Sequence, residues 1–179
     1  MPLNQIKRKS LKNKDLFDRI ESTNENNLIN YYNKKKSDIV IIKSTYHNDI
    51  TNSIVFDFIN NLDLKLRKKT IVYEVPGSFE IPFIIKQILK KNNNKKDQIS
   101  ILAVGCIIKG QTKHDEYIAS TIINALRNLS LEYDTLIING ILTTLNIKQA
   151  IERAGKKLRK GQEYAANLTN MLQLIEKIK

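Results

Sequence analysis

From Ile39 onward the chain alternates between two apolar rhythms, and that alternation is its tightest constraint. Ile39-Val40-Ile41-Ile42 is an unbroken, β-branched run, the pattern of a strand buried on both faces. Ile50, Ile54, Val55, Phe58, Ile59 and Leu62 then recur at helical spacing, which predicts an amphipathic helix. The pair of rhythms repeats. Ile71 to Val75 reads as a second strand, closed by Pro76-Gly77, before a stripe of Ile81, Ile84, Ile85, Ile88 and Leu89. Pro82 falls at that helix's start, where its missing N–H costs little. Ile99 to Ile108 is a third strand, ended by Lys109-Gly110, with Ile118, Ile122, Leu126 and Leu129 after it. Leu136-Ile137-Ile138 is a fourth, ended by Asn139-Gly140, followed by Ile147, Ala150, Ile151 and Ala154 up to Gly155. Tyr164, Leu168, Met171, Leu172 and Ile175 mark a last helix.

Strict alternation of doubly buried strands with helices predicts an α/β fold: a three-layer α/β/α sandwich around a four-stranded parallel sheet. Ligands of such sheets bind beyond the carboxyl ends of the strands. The segments to inspect are therefore Ser44 to Asn48, Pro76 to Glu80, Lys109 to His114, and Asn139 to Thr144.

Two regions follow, a basic polar arm over residues 1–36 and an α/β domain over 37–179. The arm carries 9 Lys+Arg against 4 Asp+Glu, with scattered apolar residues, and reads as flexible. The whole chain is at +12, which invites a nucleic-acid reading. Only 6 of its 30 cations are Arg, the side chain suited to bidentate phosphate and base contacts. The arm also lacks alternating aromatic and basic residues, so nucleic acid is the weaker reading. One cysteine, Cys106, excludes an intrachain disulfide framework and a Cys-rich zinc site. With His47 and His114 the only histidines, no metal is expected. There is no apolar stretch of spanning length and no secretory h-region, so the expectation is a cytoplasmic protein without a membrane partner.

Chemistry concentrates at the strand ends. Lys109-Gly110-Gln111-Thr112-Lys113-His114 joins strand three to helix three. Gly110 permits a sharp turn or a close ligand approach, and amides at a helix N-terminus favour an anion. His114 would stand at the mouth of the same crevice, able to carry protons near neutral pH; a surface His beside a capping Thr112 is an equal reading of the same residues. The chain has neither a Walker loop nor a G-x-G-x-x-G fingerprint. In Val75-Pro76-Gly77-Ser78-Phe79-Glu80-Ile81-Pro82, Glu80 either complements a helix dipole or offers a carboxylate to hydroxyls and amines. Phe79 either stacks on a ring or packs in the core. Arg153, at the end of the fourth helix, either complements its dipole or clamps a phosphate, including one held by a neighbouring subunit.

The stretches VPGSFEIP, GCIIKGQTKHDEYI and NGILTTLNIKQAIERAG occur in this order, each at a strand end. Together they resemble the lumazine synthase (6,7-dimethyl-8-ribityllumazine synthase) family over roughly residues 39–175. The resemblance implies a flavodoxin-like fold and a transferase of riboflavin biosynthesis. Such an enzyme condenses 5-amino-6-(D-ribitylamino)uracil with 3,4-dihydroxy-2-butanone 4-phosphate and releases phosphate and water. It implies neither metal nor organic cofactor. By position, His114 matches the proton-transfer His, Gln111 and Thr112 the phosphate loop, and Arg153 the phosphate-holding Arg. Tyr46 matches the aromatic that stacks on the pyrimidine. Ser78, Phe79 and Glu80 match the segment contacting ribityl chain and ring. Cys106, Ile107 and Ile108 match the strand end that bonds the pyrimidine through its backbone. Asn139 stands where a Phe is usual, Asp115 where an aromatic is commoner, and Lys109 replaces a more frequent Arg. The resemblance also implies a homo-oligomer, a pentamer or a shell of pentamers, with sites between subunits. A non-catalytic shell or flavin-binding protein of the same fold is the alternative, as is a nucleic-acid binder using the arm.

Overall fold

The computed structural model describes residues 38–92 and 99–178. The arm over residues 1–36 lies outside them, as do residues 93–98. In chain order the elements are β1 (Ile39–Ser44), α1 (Asn48–Asn60), α2 (Leu64–Lys68), β2 (Thr70–Val75), a 3-10 turn (Ser78–Glu80) and α3 (Ile81–Lys91). Then come β3 (Ser100–Ile108), α4 (His114–Glu132), β4 (Ile137–Thr144), α5 (Ile147–Ala154) and α6 (Lys160–Ile178).

The four strands form one all-parallel sheet in the order β2-β1-β3-β4. Strand side chains alternate between two cores. Ile39 and Ile41 join Phe58 of α1, Ile151 of α5 and Leu168 of α6 on one face. Val40 and Ile42 join Ile85 of α3 and Ile122 and Leu126 of α4 on the other. Each fully buried Ile or Phe contributes about 1.5–3 kcal/mol of apolar burial. This is the three-layer sandwich expected from the alternation, and flavodoxin-like as the resemblance implied.

Three local readings needed correction. The strand expected to end at Asn139-Gly140 runs on to Thr144, paired with β3 as far as Ile108. Asn-Gly is an ordinary turn signal, but β4 is an edge strand. Its outer side tolerates an exposed Asn139, whose Oδ1 accepts from the Ile141 N–H (3.1 Å). Gly140 admits the carbonyl of Ala103, 2.7 Å from where a β-carbon would stand. The segment Asn139 to Thr144 is therefore strand, and the β4 end lies at Thr144. The second correction is α2, five residues capped by Asp63, too short to show a stripe. The third is the 3-10 turn over Ser78–Glu80, which precedes α3.

The α5–α6 turn is anchored from α1. Asp57 Oδ1 accepts from Arg159 Nη2 (2.7 Å) and Oδ2 from the Gln162 N–H (2.8 Å), so one carboxylate caps α6 from outside it. Arg159 sits at a positive φ of 46°. Among the described residues no helix is long and apolar enough to cross a membrane.

Candidate active site

β1 connects through α1 and α2 to β2 on one side, while β3 pairs on the other. The strand order therefore reverses between β1 and β3, and in open α/β sheets that switch leaves a crevice at the carboxyl ends. A cavity of about 410 Å³ occupies it. Its walls come from four successive pieces of chain.

The first is the turn between β1 and α1, which supplies Tyr46 and His47. His47 adopts the left-handed conformation (φ 58°, ψ 49°), which lets its carbonyl accept from the Ile50 and Thr51 N–H groups and start α1. The Thr45 and Tyr46 N–H groups donate to Val75 and Pro76 carbonyls, which fastens the turn to the end of β2. Tyr46 is 66% exposed and meets the His47 ring edge-on at 4.6 Å. Burial holds the His47 pKa below its ordinary value, so this imidazole is neutral at pH 7, one nitrogen donating and one accepting.

The second piece is Gly77, Ser78 and Phe79. Phe79 is 60% exposed, which decides its two readings: it lines the cavity and is not core. Ser78 is buried against Gly105 of β3. Glu80 is exposed and folds back over the turn, its Oε2 2.9 Å from where a β-carbon on Gly77 would stand.

The third piece is the end of β3, with Cys106, Ile107 and Ile108. Burial pushes the Cys106 thiol up to about 12, so the sulfur is neutral and unreactive at physiological pH. The fourth piece comprises Gly110 and Thr112, with His114, Asp115 and Ile118 of α4. This loop is braced by its own chain. The Lys109 N–H donates to the Thr144 carbonyl (2.8 Å), the Gly110 N–H to Asp115 Oδ1 (3.1 Å) and the His114 N–H to Thr112 Oγ1 (3.4 Å). His114 is the first residue of α4, exposed at its N-terminus, where the helix dipole favours an anion. Gly110 has no positive φ, and a β-carbon there would meet only ordinary contacts. The turn itself does not require a glycine at 110.

One chain thus gathers Tyr46, Ser78, Phe79, Cys106, Ile107, Ile108, Thr112 and His114 around one cavity. Gln111 neighbours it between two lining residues. Glu80, Asn139 and Arg153 are not among its walls. Arg153 Nη1 donates to the Gln149 carbonyl of its own helix (3.3 Å). Lys157, a conceivable helper to Arg153, pairs with Glu152 at 3.0 Å, and that hydrogen bond holds the Glu152 carboxyl below its ordinary value. Five lining residues lie outside the expected site set: His47, Gly77, Gly110, Asp115 and Ile118. His47 lay inside a segment marked for inspection, but its left-handed backbone has no sequence signature beyond a polar turn. Among the described residues no three His, Cys, Asp or Glu side chains gather so as to hold a metal ion.

A parallel α/β/α sheet with a mainly apolar cavity at its switch point, an aromatic wall on one side and a helix N-terminus with a histidine on the other, places the chain in the class of α/β proteins with a small-molecule site at the strand ends. Comparison with known proteins narrows that class. The 6,7-dimethyl-8-ribityllumazine synthase family model matches residues 36–176, and the chain belongs to that family. The 6,7-dimethyl-8-ribityllumazine synthase of Limosilactobacillus reuteri (strain DSM 20016) is 36% identical over 147 residues, 80% of this chain and 91% of that protein. Its counterpart from Buchnera aphidicola subsp. Baizongia pistaciae is 38% identical over 146 residues, 79% and 89% of the two chains.

Proposed function

We propose that this chain is a 6,7-dimethyl-8-ribityllumazine synthase, a transferase of riboflavin biosynthesis. It joins 5-amino-6-(D-ribitylamino)uracil to 3,4-dihydroxy-2-butanone 4-phosphate and releases phosphate and water. The observation that carries the assignment is family membership over residues 36–176, with a cavity that unites the VPGSFEIP and GCIIKGQTKHDEYI motifs at one strand-end crevice. Tyr46 and Phe79 flank the pyrimidine, and the β3 end offers backbone groups to its polar edge. Ser78 and Glu80 face the ribityl chain. Gln111, Thr112 and the α4 N-terminus receive the phosphate. His114 moves protons during carbinolamine dehydration, phosphate elimination and ring closure.

Arg153 and Asn139 complete a site between subunits. Supporting this reading, neither residue lines the cavity of its own chain, and Asn139 projects from the outer side of an edge strand. The working form is then a homo-oligomer, a pentamer at least. The direct test supplies both substrates to the folded oligomer and follows lumazine by absorbance or fluorescence. Lumazine formation is the expected result; an assembled, folded protein that produces none would sink the proposal.

A further inference from the structure

Lys43 is the fully buried charged residue of the sheet. Its side chain has no exposed surface, yet it stands in β1 among isoleucines. Its Nζ donates to Glu74 Oε1 on β2 (2.7 Å) and to Asn48 Oδ1 in the first turn of α1 (2.7 Å). Burying an ammonium costs several kcal/mol even when it is paired, and a well-packed apolar side chain of similar volume often serves stability as well or better. Stability therefore does not account for a lysine at this position.

Its location does. Lys43 lies three residues before Tyr46, and Asn48 follows His47 directly. The two cavity-lining residues hang on a short turn whose ends are joined by the Lys43–Asn48 hydrogen bond. The same ammonium grips Glu74, three residues before Gly77, where the second cavity wall begins. Lys43 thus ties together the ends of β1 and β2 and the start of α1. Left-handed backbone at a non-glycine residue such as His47 persists only when its surroundings over-determine it. The backbone bonds to Val75 and Pro76 fix one side of the turn; Lys43 fixes the other.

We propose that Lys43 is a positioning residue: through Asn48 and Glu74 it holds the Tyr46–His47 turn against the 77–79 wall in the geometry that accepts the pyrimidine substrate. The inference rests on the lumazine synthase reading. It concerns binding of one substrate, since the phosphate loop and His114 belong to other elements.

Lys43→Met is the primary test, because it keeps the length of the side chain and removes only the ammonium. Glu74 is partly exposed and Asn48 half-buried, so both can turn to water and the fold should survive. With the assembled protein, KM for ribitylaminouracil should rise about tenfold while kcat stays within about twofold, the signature of lost binding shared by ground and transition states. KM for the butanone phosphate should not move, and the melting temperature should hold or rise. Asn48→Leu should reproduce the KM effect and Asn48→Asp, which keeps an oxygen acceptor for Nζ, should restore it. Should Lys43→Met fail to fold, the Asn48 pair decides the matter. An unchanged pyrimidine KM in whichever of Lys43→Met and Asn48→Leu folds would overturn the proposal, as would a fallen melting temperature with unchanged KM, which marks a strut. Wild-type turnover, measured alongside, separates these outcomes from failure of the lumazine synthase reading, in which case wild type itself is inactive.

Discussion

Ser78 rests directly on the bare Cα of Gly105: a β-carbon at 105 would stand 3.0 Å from Ser78 Cβ and overlap its hydroxyl. The strand that forms the cavity floor is thus shaped to receive the segment that forms a wall. Gly105→Ala should displace Ser78 and with it Phe79. Overpacking of this kind costs about 1–3 kcal/mol. Thermal unfolding should report that loss, and steady-state kinetics should show a raised KM for the pyrimidine substrate.

His114→Ala should lower kcat by about 10²- to 10⁴-fold, the range for loss of a positioned proton carrier. Arg153→Ala should chiefly raise KM for the butanone phosphate, because an anion partner is lost. The two variants also test where the site lies. If His114 and Arg153 of one site come from neighbouring subunits, co-assembly of the two impaired variants, assayed at butanone phosphate well below the raised KM, restores roughly a quarter of the sites, the fraction in which random mixing pairs two intact residues. Activity in the mixture no greater than in the separate variants would show that both residues act within one chain.

His47 gives a pH prediction. Its pKa is depressed by burial, so folding favours the neutral ring. That contribution to stability is full above the unfolded value of about 6.5 and is lost as pH falls from there toward the folded value. His47→Asn should flatten this acid slope in denaturant titrations yet keep the turn, since Asn readily adopts a left-handed backbone. His47→Val should instead destabilise at every pH, by on the order of 1–3 kcal/mol, because a β-branched residue is strained there.

Cys106 should resist alkylation. With its thiol pushed up to about 12 by burial, almost no thiolate exists at pH 7.5. Reaction with iodoacetamide, followed by mass spectrometry, should run at least about a hundredfold slower than in the denatured chain. Equal rates in the two states would contradict both the burial and the neutral sulfur.

The layered fold was legible because the Ile- and Val-rich runs leave no ambiguity about which segments are buried on both sides. The strand-end motifs likewise announced the Ser78–Glu80 and Gly110–His114 segments. What could not be read depends on neighbours distant in sequence. Lys43 looks like the end of an apolar run until Glu74, 31 residues on, lies beside it. Asn139-Gly140 looks like a turn until β3 brings the Ala103 carbonyl to Gly140. His47 looks like any polar turn residue, because a positive φ is imposed by the bonds on either side of it. Arg153 reads equally as helix complement or phosphate clamp in the sequence, and it is not among the walls of its own chain's cavity.

The cavity's walls all fall between Tyr46 and Ile118, whereas the sheet face behind Ile39 and Ile41, begun by α1, is completed by α5 and α6, which start only at Ile147 and Lys160. Synthesis proceeds from the N-terminus, so the ribosome delivers every wall of the pocket before the last two helices of the supporting layer. A nascent chain halted after α4 would carry the pocket's side chains on a sheet whose second face is covered by α1 but not yet by α5 and α6. Newly made subunits therefore pass through a window in which chaperone capture or aggregation competes with the docking of the last helix.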